Sequence, residues 1–118
     1  MRSWIDFNCD FGEGFGDDAA IAPWISSASI ACGGHAGDQA SMRRAIALCQ
    51  EHGVAIGSHP SYEDRAHFGR RELPITPEGT HLLVRRQAEA LAEAGARAGA
   101  TLHHVKPHGA LYNLAGRD

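Results

Sequence analysis

The sequence has 118 residues, 43% of them hydrophobic and 21% charged, with a formal net charge of −3. That length holds one domain, residues 1–118, because domains typically run to about 100–150 residues, and the faint negative charge excludes the cationic field of a nucleic-acid-binding surface. No apolar run nears the roughly 20 residues that cross a bilayer, and the opening Met1-Arg2-Ser3-Trp4-Ile5-Asp6 lacks a signal peptide's apolar core, so a cytoplasmic location is expected.

A first strand is predicted at residues 4–8. Residues 11–27 follow as a loop in which Gly12, Gly14 and Gly16 favour tight turns, with a short helix interrupted near Pro23. A second strand is expected at 29–32. Asp38 is a plausible N-cap for a helix that puts Met42, Ala45, Ile46 and Cys49 on one face and stops at Gly53. The third strand is expected at 54–58, and residues 60–73, charged and aperiodic, read as a long loop of the kind that often carries function. Thr76 and Pro77 announce a second helix with Val84, Ala88, Leu91, Gly95 and Ala98 at helical spacing, ending at Gly99. A fourth strand follows at 102–106.

Strands alternating with crossover helices imply parallel pairing, which leaves an open doubly wound sheet or part of a (β/α) barrel. Either arrangement gathers the strand C-termini at one end. Four strands do not close a barrel of this type, and an open parallel edge demands a partner, so a homo-oligomer is a further expectation.

The polar residues collect just beyond each strand: Asn8, Asp10 and Glu13 after the first, His35 and Asp38 after the second, His59 after the third, Lys106 and His108 after the fourth. Neighbouring strands lie about 4.8 Å apart, so these side chains are placed to meet around one cation or small substrate. Imidazole with carboxylate suits zinc or another divalent first-row metal, and Asp10, His35 and His59 are the expected ligands; taken singly, each is also readable as a satisfied buried histidine or a helix cap. Asp10 and Glu13 are alternatively a carboxylate pair for proton transfer. Lys106 is the one lysine against ten arginines, and in Lys106-Pro107-His108-Gly109 a strand delivers it to the site to grip an anion, with His108 as proton donor or acceptor. Arg70 is a second candidate for an anion, and Asp38 joins Lys106 and Arg70 as an expected substrate-binding residue. The run Gly12-Glu13-Gly14-Phe15-Gly16 is a poor nucleotide fingerprint, since its third glycine comes one residue early and acidic residues follow at once. Cys9, Cys32 and Cys49 form no Cys-x-x-Cys pair, in keeping with a reducing compartment. Cys9 would be reactive only if nearby charge lowered its pKa.

Together, the blocks 8–16, 29–38, 57–60 and 105–113 resemble the LamB/YcsF family in their order and wording. The resemblance implies a (β/α) barrel related to the glycoside hydrolase and deacetylase superfamily, of which this chain would be the N-terminal half. It further implies ATP-dependent hydrolysis of 5-oxoproline to glutamate with PxpB and PxpC subunits, and site positions at Asp10, Glu13, His35, Asp38, His59, Lys106 and His108. Two departures bear on the pocket: Gly34 stands where a Phe is common, and Ala66-His67 replaces a glycine-containing turn. A metal-dependent amidohydrolase or deacetylase without ATP is the second reading, and a noncatalytic binding or assembly remnant the third.

Overall fold

The computed structural model describes residues 5–117. Four strands, β1 (Asn8–Phe11), β2 (Ser27–Ala31), β3 (Ala55–His59) and β4 (Leu102–Val105), form one all-parallel sheet in the order β1-β2-β3-β4. This sequential order is that of a barrel wall; a doubly wound sheet reverses direction at a switch point. Between the strands run a short helix α1 (Asp18–Ile21) continued by a 3-10 turn at Ala22–Trp24, then α2 (Gln39–Glu51) and α3 (Pro77–Arg97), while α4 (Gly109–Arg117) follows β4. Among the described residues no helix is long and apolar enough to cross a membrane.

Side-chain alternation divides the sheet into two unlike faces. In register, Asp10 lies beside Ser29, Ala31 beside His59, and Gly57 beside His104, so one face is polar. The other presents Phe11, Ala28, Ile30 and Ile56 to Met42, Ala45, Ile46 and Cys49 of α2 and Leu91 of α3, all buried in one apolar cluster. The larger of these, Phe11, Ile30, Met42, Ile46, Ile56 and Leu91, each contribute about 1.5–3 kcal/mol of burial, so the outer face and its helices hold the sheet while the inner face is free for chemistry. A second cluster, Tyr62, Leu83, Ala110 and Leu111, fastens the long loop after β3 between α3 and α4.

The helices start and stop where their caps predict. The Asp38 carboxylate accepts from the Ser41 amide at 2.7 Å and the Ser41 hydroxyl oxygen accepts in turn from the Asp38 amide, a reciprocal cap for α2. Thr76 caps α3 through the Gly79 amide at 3.0 Å, with Pro77 at the first helical position.

β2, β3 and β4 are shifted or shortened by one or two residues from 29–32, 54–58 and 102–106, and larger differences lie elsewhere. The first strand is Asn8–Phe11 rather than residues 4–8, of which Trp4 lies outside the described residues. Asn and Asp are poor strand formers in isolation, and tertiary pairing with Ser27–Ile30 overrides that preference. As a result Asp10 sits within the strand, aimed along its inner face. The buried stripe of α3 is Leu83, Gln87, Leu91 and Gly95, offset by one position from the expected Val84 and Ala88. α4 was not anticipated. His104 points inward and His103 outward, as alternation requires, with a register shift in the β3–β4 pairing at Ile56/Gly57.

Candidate functional site

Four side chains converge beyond the C-terminal end of the sheet. Glu13 comes from the glycine loop after β1, His35 from the turn after β2, His59 is the last residue of β3, and His108 follows Lys106-Pro107 after β4. One nitrogen or oxygen from each lies within 4.8 Å of all the others. The glycine loop is held by Asp18, whose carboxylate accepts from the Gly12 amide at 2.9 Å, and Gly12, Gly14 and Gly16 all take positive φ. Such a path is open to glycine at little cost, and it carries Glu13 back over the sheet.

The imidazoles pack on one another. His35 and His108 stack with centroids 3.7 Å apart and planes 9° from parallel, and His59 stands edge-on to both. Phe68 closes the group from above, its ring edge-on to His35 and His108. Its backbone is left-handed, with φ of 53°, a conformation that costs a non-glycine residue about 1–3 kcal/mol. That conformation places the Phe68 carbonyl 2.8 Å from His108 Nε2. Gly69 follows with no room for a side chain, since a Cβ there would lie 2.8 Å from His35 Cβ.

Hydrogen bonds fix which nitrogen of each ring carries hydrogen. A carbonyl only accepts, so His59 donates from Nδ1 to the Lys106 carbonyl at 2.6 Å and His108 from Nε2 to Phe68. The Ser61 hydroxyl donates to the Tyr62 carbonyl at 3.0 Å, and it therefore accepts from His35 Nδ1 at 2.9 Å. Ser61 is itself clamped by Gln87 of α3, whose amide accepts from the Ser61 N–H at 3.1 Å and donates to the Ser61 carbonyl at 2.7 Å. Gly34 is part of this arrangement: a Cβ there would approach Ser61 Oγ to 2.7 Å and Gln87 Oε1 to 2.8 Å.

Beside the cluster lies a charged pair. Lys106 Nζ donates to Asp10 Oδ1 at 2.8 Å and to Asn8 Oδ1 at 3.3 Å, while Asp10 Oδ2 is 3.4 Å from His59 Nε2. Partial burial works to raise the Asp10 pKa, but the nearby His59 ring and the bond from Lys106 outweigh that, and the carboxyl is held well below the ordinary range. Burial, and then the charge of His35, lower the pKa of His108 against the opposing pull of its bond to Phe68. Open clefts of about 420 Å³ along Asn8, Glu13 and Phe15, and of about 370 Å³ along His59, His108 and Asn113, share the Asp10–Lys106 pair as a common wall.

The structure thus brings together Asp10, Glu13, His35, His59, Lys106 and His108. Asp38 is exposed and caps α2, outside the cluster, and Arg70 lies at the rim with its guanidinium 5.1 Å from the Phe68 centroid. Sequence reasoning missed Ser61 and Gln87. A polar residue in phase with Leu83 and Leu91 on an otherwise apolar stripe was the available signal, hidden by the one-residue offset in α3.

The thiols take no part. Burial pushes Cys32 and Cys49 up to about 11, and burial together with the Asp10 charge raises Cys9. A disulfide reagent at pH 8 should therefore label the folded chain slowly and the unfolded chain fully; one fast equivalent without denaturant would contradict this assignment.

The family model described as "LamB/YcsF family" matches residues 5–118. The chain is 54% identical over 119 residues to the A subunit of 5-oxoprolinase from Chloroflexus aggregans, covering 97% of this chain and 47% of that protein. It is 50% identical over 123 residues to the corresponding 5-oxoprolinase A subunit of Bordetella pertussis, covering 100% of this chain and 49% of the relative. The crystal structure of a lactam utilization protein from Thermus thermophilus superposes with a TM-score of 0.93 at 43% identity, over 96% of this chain and 48% of that one. The chain spans about half the length of the curated relatives it matches.

Proposed function

Because the chain belongs to the LamB/YcsF family, we propose that it is the N-terminal half of a 5-oxoprolinase A subunit (PxpA), the complete protein hydrolysing 5-oxoproline to glutamate at the expense of ATP together with PxpB and PxpC. The observation that carries this reading is an ionised carboxylate, an ammonium group and imidazoles facing a common pair of clefts, in a chain whose relatives bear that name.

A lactam is a resonance-stabilised amide. Opening it requires charge to be stabilised on the carbonyl oxygen, a proton to be taken from water, and a proton to be given to the departing nitrogen. Asp10 remains ionised near neutral pH and is suited to orient water or accept its proton. The lowered pKa of His108 keeps its imidazole neutral and able to receive a proton and return it. Glu13 is the second carboxylate within reach. Lys106 offers positive charge to a developing oxyanion, in exchange for part of its contact with Asp10. Arg70, exposed at the rim, is placed for the substrate carboxylate, whereas for Asp38 a binding role would require its helix cap to be given up. ATP supplies the activation that a stable amide lacks, and its binding site is assigned to the partner subunits.

The Glu13 and histidine cluster favours a second reading, metal-dependent amide hydrolysis without ATP. Reconstitution separates the two. This chain, and a version extended to the relatives' length, are each combined with purified PxpB and PxpC, and glutamate formed from 5-oxoproline is measured with and without ATP. ATP-dependent glutamate in the extended protein is the expected result. Glutamate without ATP would transfer the assignment to the second reading, and no glutamate in any combination would sink both, leaving a binding or assembly role.

A further inference from the structure

We propose that Glu13 Oε2, His35 Nε2, His59 Nε2 and His108 Nδ1 are the four ligands of one divalent cation of the zinc type, and that Asp10 stands outside the ligand set. Hydrogen placement fixes the ligand atoms. Each imidazole commits its outward nitrogen as a donor: His35 to Ser61, His59 to the Lys106 carbonyl, His108 to the Phe68 carbonyl. In the neutral ring the remaining nitrogen then carries a lone pair, and in all three rings that nitrogen faces inward. Glu13 adds a carboxylate oxygen. Four electron pairs thus converge with no hydrogen between them, an arrangement that requires either added protons or a cation at the centre.

Spacing distinguishes these. Bonds of about 2.0–2.1 Å arranged tetrahedrally separate the ligand atoms by about 3.3–3.4 Å. Here Glu13 lies 2.5 Å from His35, 3.7 Å from His108 and 3.8 Å from His59, and His59 lies 3.0 Å from His108. These edges straddle the tetrahedral value. Protons would serve the two short pairs, but the 3.7 and 3.8 Å edges are too long for hydrogen bonds and are natural between ligands of one ion. Three imidazoles with one carboxylate are a borderline-soft donor set, suited to zinc and its first-row neighbours over magnesium or calcium.

The surroundings are those of a ligand sphere. His35, His59 and His108 are 2%, 1% and 8% exposed, and each is oriented by an outer hydrogen-bond partner that fixes its tautomer, as metal-bound histidines are. Asp10 differs: its Oδ2 lies 3.4 Å from His59 Nε2, but among the described residues it approaches none of the other ring nitrogens, whereas Glu13 Oε2 approaches all three, and Lys106 holds its Oδ1 where the side chain is a third exposed. It is left to act on whatever is bound next to the ion. With the ion bound, His108 has no nitrogen free for proton transfer, and that task falls to Asp10.

The test is a titration with zinc chloride of this chain and of the version extended to the relatives' length, with circular dichroism confirming that each is folded, followed by cobalt(II) absorption. One saturable equivalent and the intense visible bands of tetrahedral cobalt are expected. Glu13→Gln should weaken binding at least about 100-fold, Ser61→Ala about 10- to 100-fold through the freed His35 ring, and Asp10→Asn less than about tenfold. Ring nitrogen shifts should report zinc on Nε2 of His35 and His59 but on Nδ1 of His108. Folded protein that binds no zinc in either length overturns the proposal, as does binding that survives Glu13→Gln and is lost in Asp10→Asn. Since no substrate is present, an inactive protein that binds one ion leaves the proposal standing, and an active one that binds none defeats it alone.

Discussion

Replacing Gln87 by leucine should lower the stability of this chain by about 2–5 kcal/mol, although the two side chains are similar in size and leucine is the better match to the apolar stripe of α3. Gln87 is 6% exposed, and its amide satisfies both the N–H and the carbonyl of Ser61, which is fully buried. Leucine leaves that donor and that acceptor without water or partner, at about 1–3 kcal/mol each, which outweighs the few tenths gained from apolar burial and helix propensity. The measurement is urea unfolding: the midpoint should fall with the slope unchanged. A midpoint shift worth less than about 0.5 kcal/mol, the range of an ordinary surface change, would mean that the clamp contributes nothing. Gly34 belongs to the same unit, and its lack of a side chain keeps the space that Ser61 and Gln87 share.

In the protein extended to the relatives' length and combined with its proposed partner subunits, His59→Ala should reduce turnover by about 10²- to 10⁴-fold, the range for losing one positioned acid–base group. His59 touches every part of the site: the Lys106 carbonyl at Nδ1, and at Nε2 His108 at 3.0 Å, Asp10 at 3.4 Å and Glu13 at 3.8 Å. The loss should be in kcat, with the fold retained by circular dichroism, because the apolar cluster that holds the sheet lies on the opposite face. His103→Ala, on an exposed ring outside the site, serves as the comparison and should run at the unaltered rate. A near-normal rate for His59→Ala would remove His59 from the chemistry.

The parts of this molecule readable from sequence are those fixed by local rules. The caps at Asp38 and Thr76, the apolar stripe of α2 and the glycine turns after β1 are each decided within a few residues, and each is where the pattern places it. The gathering of Asp10, Glu13, His35, His59, Lys106 and His108 was legible for a different reason: parallel strands all end on one side, so topology alone brings their C-terminal residues together. What stayed hidden depends on partners distant in the chain. β1 begins at Asn8 because β2 pairs there, against the weak strand propensity of Asn and Asp. Glu13 reaches all three histidines while Asp10 reaches His59 alone, its other oxygen being held by Lys106, 96 positions away. The clamp on Ser61 comes from α3, and no spacing in the sequence links residues 61 and 87.

The strand order carries a consequence for how the site is lost and kept. β4 is the edge of the described sheet, four residues long, and contributes only the partly buried Leu102 to the main apolar cluster, yet Lys106 and His108 both depend on its docking. Detaching it would separate the stacked rings of His35 and His108 and free Asp10 while β1 to β3 and their helices remained packed. Hydrogen exchange should accordingly find the amides around Lys106 opening at lower free energy than those of β2, and anything that binds across the assembled site will slow that fraying, so occupancy of the pocket and integrity of this margin of the sheet are a single equilibrium.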